Sequence, residues 1–211
     1  MMVLNKCLHI LSDFFFPNLT CPVCKEYSTG LCITCRKGFV RYDMETIDDK
    51  EKGLSIYRYQ NEVISLISGY KKKSQFFAME TMAELVLDNY QDDIAKFDLI
   101  SFAPSSKLSI KKLGFDHGEL LAKKIATGAN LKCRSLFYPP SKEQKVLDKE
   151  ERVLNAKGIS LRKIKDKKKN IQGLKILIID DVYTTGSTLE RCMELIALNG
   201  GEPKYLTISR L

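Results

Sequence analysis

The run Lys175-Ile176-Leu177-Ile178-Ile179-Asp180-Asp181-Val182-Tyr183-Thr184-Thr185-Gly186-Ser187-Thr188-Leu189 holds the densest chemistry in the chain. Its apolar part does not alternate, which is the pattern of a strand buried on both faces of a parallel sheet. Two acids close it, and a turn of small hydroxylic residues leads into a helical pattern. The first N–H groups of a helix have no intrahelical partner and attract anions. Gly186 removes a side chain where a phosphate must approach, and the hydroxyls of Thr184, Thr185, Ser187 and Thr188 can donate to it. Asp180 and Asp181 fall at the carboxyl end of the strand, where open α/β sheets bind ligands. Carboxylates accept hydrogen bonds from sugar hydroxyls, so one loop can hold a ribose and its 5′-phosphate.

A second constellation lies near the other end. Cys21-Pro22-Val23-Cys24 and Cys32-Ile33-Thr34-Cys35 are two C-x-x-C pairs. Each pair can turn two thiolates onto one tetrahedral ion, and the two together make a four-sulfur structural zinc site. Lys25 and Arg36 follow the pairs and offset part of their charge. So small a module buries too little apolar surface to fold alone, which a metal remedies. A pair of disulfides and a redox motif are the alternatives, although Cys-Pro-Val-Cys lacks the βαβ surroundings of the latter. Cys7, Cys133 and Cys192 stand in apolar-rich stretches and read as small buried hydrophobes.

Elements must exist to position these groups. A chain of 211 residues suits one α/β domain with a small appendage. Residues 54–59, 97–103, 131–137 and 205–209 read as further strands. Residues 62–68, 75–90 and 119–126 read as helices, the last stopped by Gly128. Residues 142–156 are charged and either helical or a mobile arm. Strands alternating with helices imply a parallel sheet. The polar stretch 41–53 marks a boundary between an N-terminal helix and zinc module, residues 1–50, and an α/β domain, residues 51–211. Within residues 1–20, Leu4, Leu8, Leu11 and Phe15 have helical spacing, while Asp13 and the lack of a small-x-small site argue against a signal peptide. No apolar run is long enough to cross a bilayer. The expected compartment is the reducing cytoplasm.

The net charge is +8, from 34 basic and 26 acidic residues. Part of the excess is clustered, at Lys71, Lys72 and Lys73 and at Lys163, Lys165, Lys167, Lys168 and Lys169. Such clusters are candidates for nucleic-acid phosphates, or for solvated loops that keep the protein soluble. Tyr70, Phe76 and Phe77 are aromatics beside the first cluster, suited to base stacking or to a helix core.

The strand, paired acids and T-T-G-x-T turn resemble the phosphoribosyl-pyrophosphate (PRPP) loop of type I phosphoribosyltransferases. With the N-terminal apolar segment and the four-cysteine knuckle, nearly the whole chain resembles the ComF family of late competence proteins. Tyr70-Lys71 stands at that family's aromatic–basic pair, with Ser74 at a common Gly. Ala103-Pro104-Ser105-Ser106 stands at its pyrophosphate-side loop. Gln144, Arg152 and Asn155 match its Q…R-x-x-N segment. Gly114-Phe115-Asp116-His117 stands at its Gly-Phe-Asn-Gln, and Leu113 takes the place of the preceding Arg.

The resemblance implies a type I phosphoribosyltransferase-like α/β fold, a parallel sheet flanked by helices, with a small N-terminal zinc-binding module. It implies PRPP or a nucleotide as ligand, with Mg²⁺ on the pyrophosphate and ribose hydroxyls. Asp180 and Asp181 would position the ribose, and residues Thr184, Thr185, Gly186, Ser187 and Thr188 the 5′-phosphate. Ser105, Ser106, Lys71 and Arg152 would lie on the pyrophosphate side. It implies single-stranded DNA as a partner in natural transformation, together with a competence helicase. An active phosphoribosyltransferase of nucleotide metabolism is the alternative. No catalytic residue is identified, and His117 is the one titrating group near the site.

Overall fold

The computed structural model describes residues 19–42, 46–47, 51–73, 75–139, 156–162 and 170–211. The expected N-terminal helix, Arg152, and the lysines at 163–169 lie outside them, as do the side chains of Lys72 and Lys73.

Four strands form one parallel sheet: β1 (Gly53–Arg58), β2 (Leu99–Phe102), β5 (Lys175–Tyr183) and β6 (Glu202–Arg210), in the spatial order β1-β6-β5-β2. Ile176, Leu177, Ile178 and Ile179 are each at most 1% exposed, the burial on both faces that their unbroken apolar run requires. Each such side chain stabilises the fold by about 1.5–3 kcal/mol, so β5 is a firm base for the acids at its end.

The pleat sends Leu177 and Ile179 into one core and Ile176 and Ile178 into another. The first core takes in α2 (Asn61–Lys73), α3 (Phe76–Ile94) and α5 (His117–Gly128), through Leu66, Met82, Val86, Leu121 and Ile125. The second takes in α6 (Ser187–Ala197) and a two-stranded antiparallel hairpin of β3 (Phe137–Tyr138) and β4 (Ser160–Leu161). The sheet is thus flanked by helices, with a small hood beyond its β2 edge.

Three local differences from the sequence reading have plain causes. Residues 131–137 do not form one strand: Cys133 makes a single parallel bridge to Ile100, and the chain then leaves to pair as β3. Gly128 lies inside α5, which Ala129 closes. A short helix, α4 (Lys107–Leu113), follows β2 where none was expected. Its signals are a side-chain cap at Ser106, which accepts from the Ser109 N–H, and Gly114 at φ 81°.

The cysteine-bearing segment includes α1 (Ile33–Lys37) and is fastened to the sheet and to α3. Phe39 enters the first core, and residues 40–42 run beside β1 through Arg58 N–H to Val40 O and Tyr42 N–H to Ile56 O. Arg41 donates to Asn89 Oδ1 and Tyr90 Oη, and Arg36 pairs with Asp88.

Candidate functional site

A cleft of about 200 Å³ opens at the carboxyl ends of β2 and β5. Its walls bring together Lys71 from α2, Pro104, Ser105 and Ser106 after β2, and His117 and Gly118 at the start of α5. Asp180, Asp181, Thr184 and Thr188 complete it. His117 lines the cleft as its place near the site suggested, whereas Ser109 and Gly118 have no signature of their own in the sequence, because they reach the cleft only through the packing of α4 and α5.

The charge inside is arranged in a definite order. Lys71 forms an ion pair with Asp181, whose side chain is 12% exposed. Burial works against the Lys71 charge, yet Asp181 and then Asp180 outweigh it and raise the ammonium above its ordinary range. Asp180 is left on the losing side. Burial, then the Asp181 charge, push its carboxyl up to about 8, against the pull of Lys71. The cleft therefore holds a Lys71–Asp181 ion pair beside a carboxyl, Asp180, whose raised range lets an incoming cation displace its proton.

The turn after β5 leads into a helix without a side-chain cap. Gly186 is the N-cap of α6 at φ 77°, a left-handed conformation open to glycine, and it caps no N–H with a side chain. A Cβ there would come within 2.1 Å of the Tyr183 hydroxyl. Helices α4 and α5 are capped by their own Ser106 and Asp116, whereas α6 has no side-chain cap from its N-cap residue, and its Ser187 N–H reaches only Thr185 Oγ1 at 3.5 Å. The hydroxyls of Thr185 and Ser187 lie 2.9 Å apart and bond each other. Of the turn's hydroxyls, those of Thr184 and Thr188 reach the cleft wall.

The opposite wall is tied down by a buried carboxylate. Asp116 accepts from the Ser105 N–H at 3.0 Å and the Ser105 hydroxyl at 2.8 Å, and from Gly118 N–H at 2.9 Å. One side chain thus caps α5 and holds the loop after β2 against it. A Cβ on Gly118 would meet Ala103 O at 3.0 Å, so this join is close. Tyr70, 1% exposed, donates to His117 O at 2.9 Å and fixes α2 to the same corner.

Away from the cleft, Cys21, Cys24, Cys32 and Cys35 place their sulfurs within 4.8 Å of one another. Cys24 and Cys32 Sγ are 3.8 Å apart. Four bonds of about 2.3 Å to one zinc put tetrahedral sulfurs about 3.8 Å apart, whereas a disulfide needs about 2.05 Å. Burial works to raise the Cys21 thiol, but backbone N–H groups of Cys32, Cys24 and Val23 outweigh it and bring it down to about 6. Burial, and then the neighbouring sulfurs, drive Cys35 the other way. Four thiols so close cannot all ionise without a cation among them, so the donor set fits one metal ion.

The parallel sheet flanked by helices is the architecture of a phosphoribosyltransferase-like α/β domain. Residues 109–206 match the phosphoribosyl transferase domain, and the chain carries a phosphoribosyltransferase-type domain over that stretch. Among solved structures, orotate phosphoribosyltransferase from Aeropyrum pernix is 14% identical, with 83% of this chain and 77% of that chain covered, at a TM-score of 0.42. Adenine phosphoribosyltransferase from Leishmania tarentolae is 10% identical, with 84% and 85% covered, at 0.42. Purine phosphoribosyltransferase from Pyrococcus horikoshii is 15% identical, with 65% and 85% covered, at 0.39. No curated protein sequence matches the chain. Among the described residues, no helix is long and apolar enough to cross a membrane.

Proposed function

We propose that this is a ComF-type protein that binds PRPP or a nucleotide in the cleft, with Mg²⁺, and handles single-stranded DNA in the cytoplasm during natural transformation. The observation that carries the ligand assignment is the opposition of Asp180 and Asp181 to the open N-terminus of α6 across one cleft. A ribose bridges those two features, with its hydroxyls on the acids and its 5′-phosphate on the helix start and on the hydroxyls of Thr184 and Thr188.

Bound Mg²⁺ would supply charge for the pyrophosphate and ribose oxygens, held by Asp180 and Asp181 directly or through water. Lys71, Ser105 and Ser106 would receive the pyrophosphate end, Ser106 through its hydroxyl proton, while the Ser105 N–H and hydroxyl are held by Asp116 and shape the wall. The four-sulfur site holds structural zinc, which fastens the N-terminal module and gives it a surface for a partner such as a helicase. The DNA assignment rests on the family resemblance and the +8 charge.

Pentosyl transfer is the second reading, favoured by the match of residues 109–206 to the transferase domain. Titration calorimetry separates the readings. PRPP binding that requires Mg²⁺ is expected, and an absence of binding with Mg²⁺ present sinks the cleft assignment. Consumption of PRPP with release of pyrophosphate on adding a nucleobase moves the assignment to the enzyme.

A further inference from the structure

The carboxyl edge of the sheet carries a row of arginines and tyrosines that the cleft does not use. Three adjacent strands end in register there. Arg58 of β1 is opposite Arg210 of β6, and Arg210 is opposite Tyr183 of β5. The chain ahead of β1 adds Tyr42, which its backbone N–H fixes to Ile56 O. The Arg210 guanidinium lies 4.3 Å over the Tyr183 ring and 5.3 Å from the Tyr42 ring, and Arg58 lies 5.6 Å from Tyr42.

The row therefore reads Arg58, Tyr42, Arg210, Tyr183, and its last member is joined by one peptide bond to Thr184 of the anion-binding turn. Arg58 is exposed and the other three are half-buried, so one side of the row meets solvent. Among the described residues, no carboxylate forms an ion pair with Arg58 or Arg210. Cations held against aromatic rings are suited to a polyanion whose units are themselves flat rings. The guanidinium forks take phosphates, and the part of the Tyr42 ring that its arginines leave open takes a base.

We infer that this row is the docking surface for single-stranded nucleic acid. The strand runs along the edge of the sheet and ends with one phosphate at the β5–α6 turn. The inference rests on the proposed handling of single-stranded DNA, and it assigns that task to the Arg–Tyr row in preference to the lysine clusters. Stacking demands unpaired bases, so the surface takes single strands in preference to duplex.

Salt-titrated fluorescence anisotropy of a labelled oligothymidylate with the full-length protein tests it. Arg58→Gln with Arg210→Gln removes two phosphate contacts, so the log–log salt slope flattens by about 1.4. Tyr42→Ala removes one stacked base and weakens binding on the order of tenfold. Neither variant touches the cleft, so PRPP binding in calorimetry stays at the wild-type level and reports an intact fold. Wild-type binding with unaltered curves in both variants overturns this surface and leaves the DNA assignment standing. Equal affinity for duplex and single strand overturns the stacking mode. Failure of the wild type to bind at physiological salt overturns the DNA assignment itself, and this surface with it.

Discussion

Lys71 and Asp181 face each other across the cleft as an ion pair, contributed by α2 and by the end of β5. The pair joins two elements from distant parts of the sequence that build the site together. Lys71 is bound to Asp181, while burial and the Asp181 charge hold the Asp180 carboxyl well above the usual carboxylate range.

Lys71→Met should cost about 1–3 kcal/mol of stability, a value between the exposed and the buried limits for ion pairs. The loss comes from stranding Asp181 beside Asp180. The double variant Lys71→Met, Asp181→Asn should recover most of it, because the uncompensated charge is gone. Chemical denaturation of the single and double variants measures the coupling, and equal stability of all of them would show that the pair contributes nothing. PRPP affinity should fall in both.

Asp180 makes stability and binding respond to pH in opposite senses. Its carboxyl is raised from 3.8 to about 8, so the folded protein holds a proton that the unfolded chain has released. That contribution is complete below pH 3.8 and is lost as the pH rises toward 8. Binding of PRPP with Mg²⁺ needs the ionised form, so affinity should increase over the upper part of the same range. Asp180→Asn should flatten the fall of melting temperature with pH and abolish Mg²⁺-dependent PRPP binding. A wild-type melting curve without that fall would remove Asp180 from the account.

Gly186→Ala should abolish PRPP binding while the protein stays folded. The φ of 77° disfavours any side chain, and the new methyl would collide with Tyr183. Moving the turn would displace the N–H groups that are proposed to meet the 5′-phosphate. Near-wild-type affinity by calorimetry in this variant would exclude the α6 start as the phosphate site.

Asp116→Ala should lower stability by about 1–2 kcal/mol through loss of the α5 cap. It should also free the loop at Ser105, which Asp116 holds by two hydrogen bonds. PRPP affinity should fall in step, since Ser105 lines the cleft. Asp116→Asn keeps one acceptor oxygen and should be intermediate in both measurements; a substitution series without that order would show that Asp116 does not position the loop.

Purified protein should carry about one zinc per chain, since four thiolates fill one tetrahedral shell. Cys21→Ser or Cys32→Ser should release it and lower the melting temperature, because Phe39 and Arg41 lock the cysteine segment to the main core. Metal analysis by mass spectrometry together with thermal unfolding checks both. A metal-free wild type of full stability would defeat the assignment.

The sequence alone determined the local pieces whose chemistry is written in consecutive residues. The unbroken apolar run of β5, the acids that end it, and the glycine of the following turn could be placed because period and residue type depend on neighbours in the chain. The two C-x-x-C pairs were legible for the same reason, since a short spacing limits where their sulfurs can go. Tertiary structure decided what required distant segments to meet. Lys71 reads as one of three clustered lysines and, through the family resemblance, as a pyrophosphate-side cation, but only the packing of α2 against the sheet turns it onto Asp181. Asp116 reads as a substitution in a short motif, and the fold makes it the clamp on Ser105. Arg58, Arg210 and Tyr42 carry no signal in sequence. Strand register sets the two arginines side by side, and the chain ahead of β1 lays Tyr42 against both. Side-chain charge is a property of the residue, but its effect depends on burial and on what lies within a few ångströms, and these are settled only when the sheet closes.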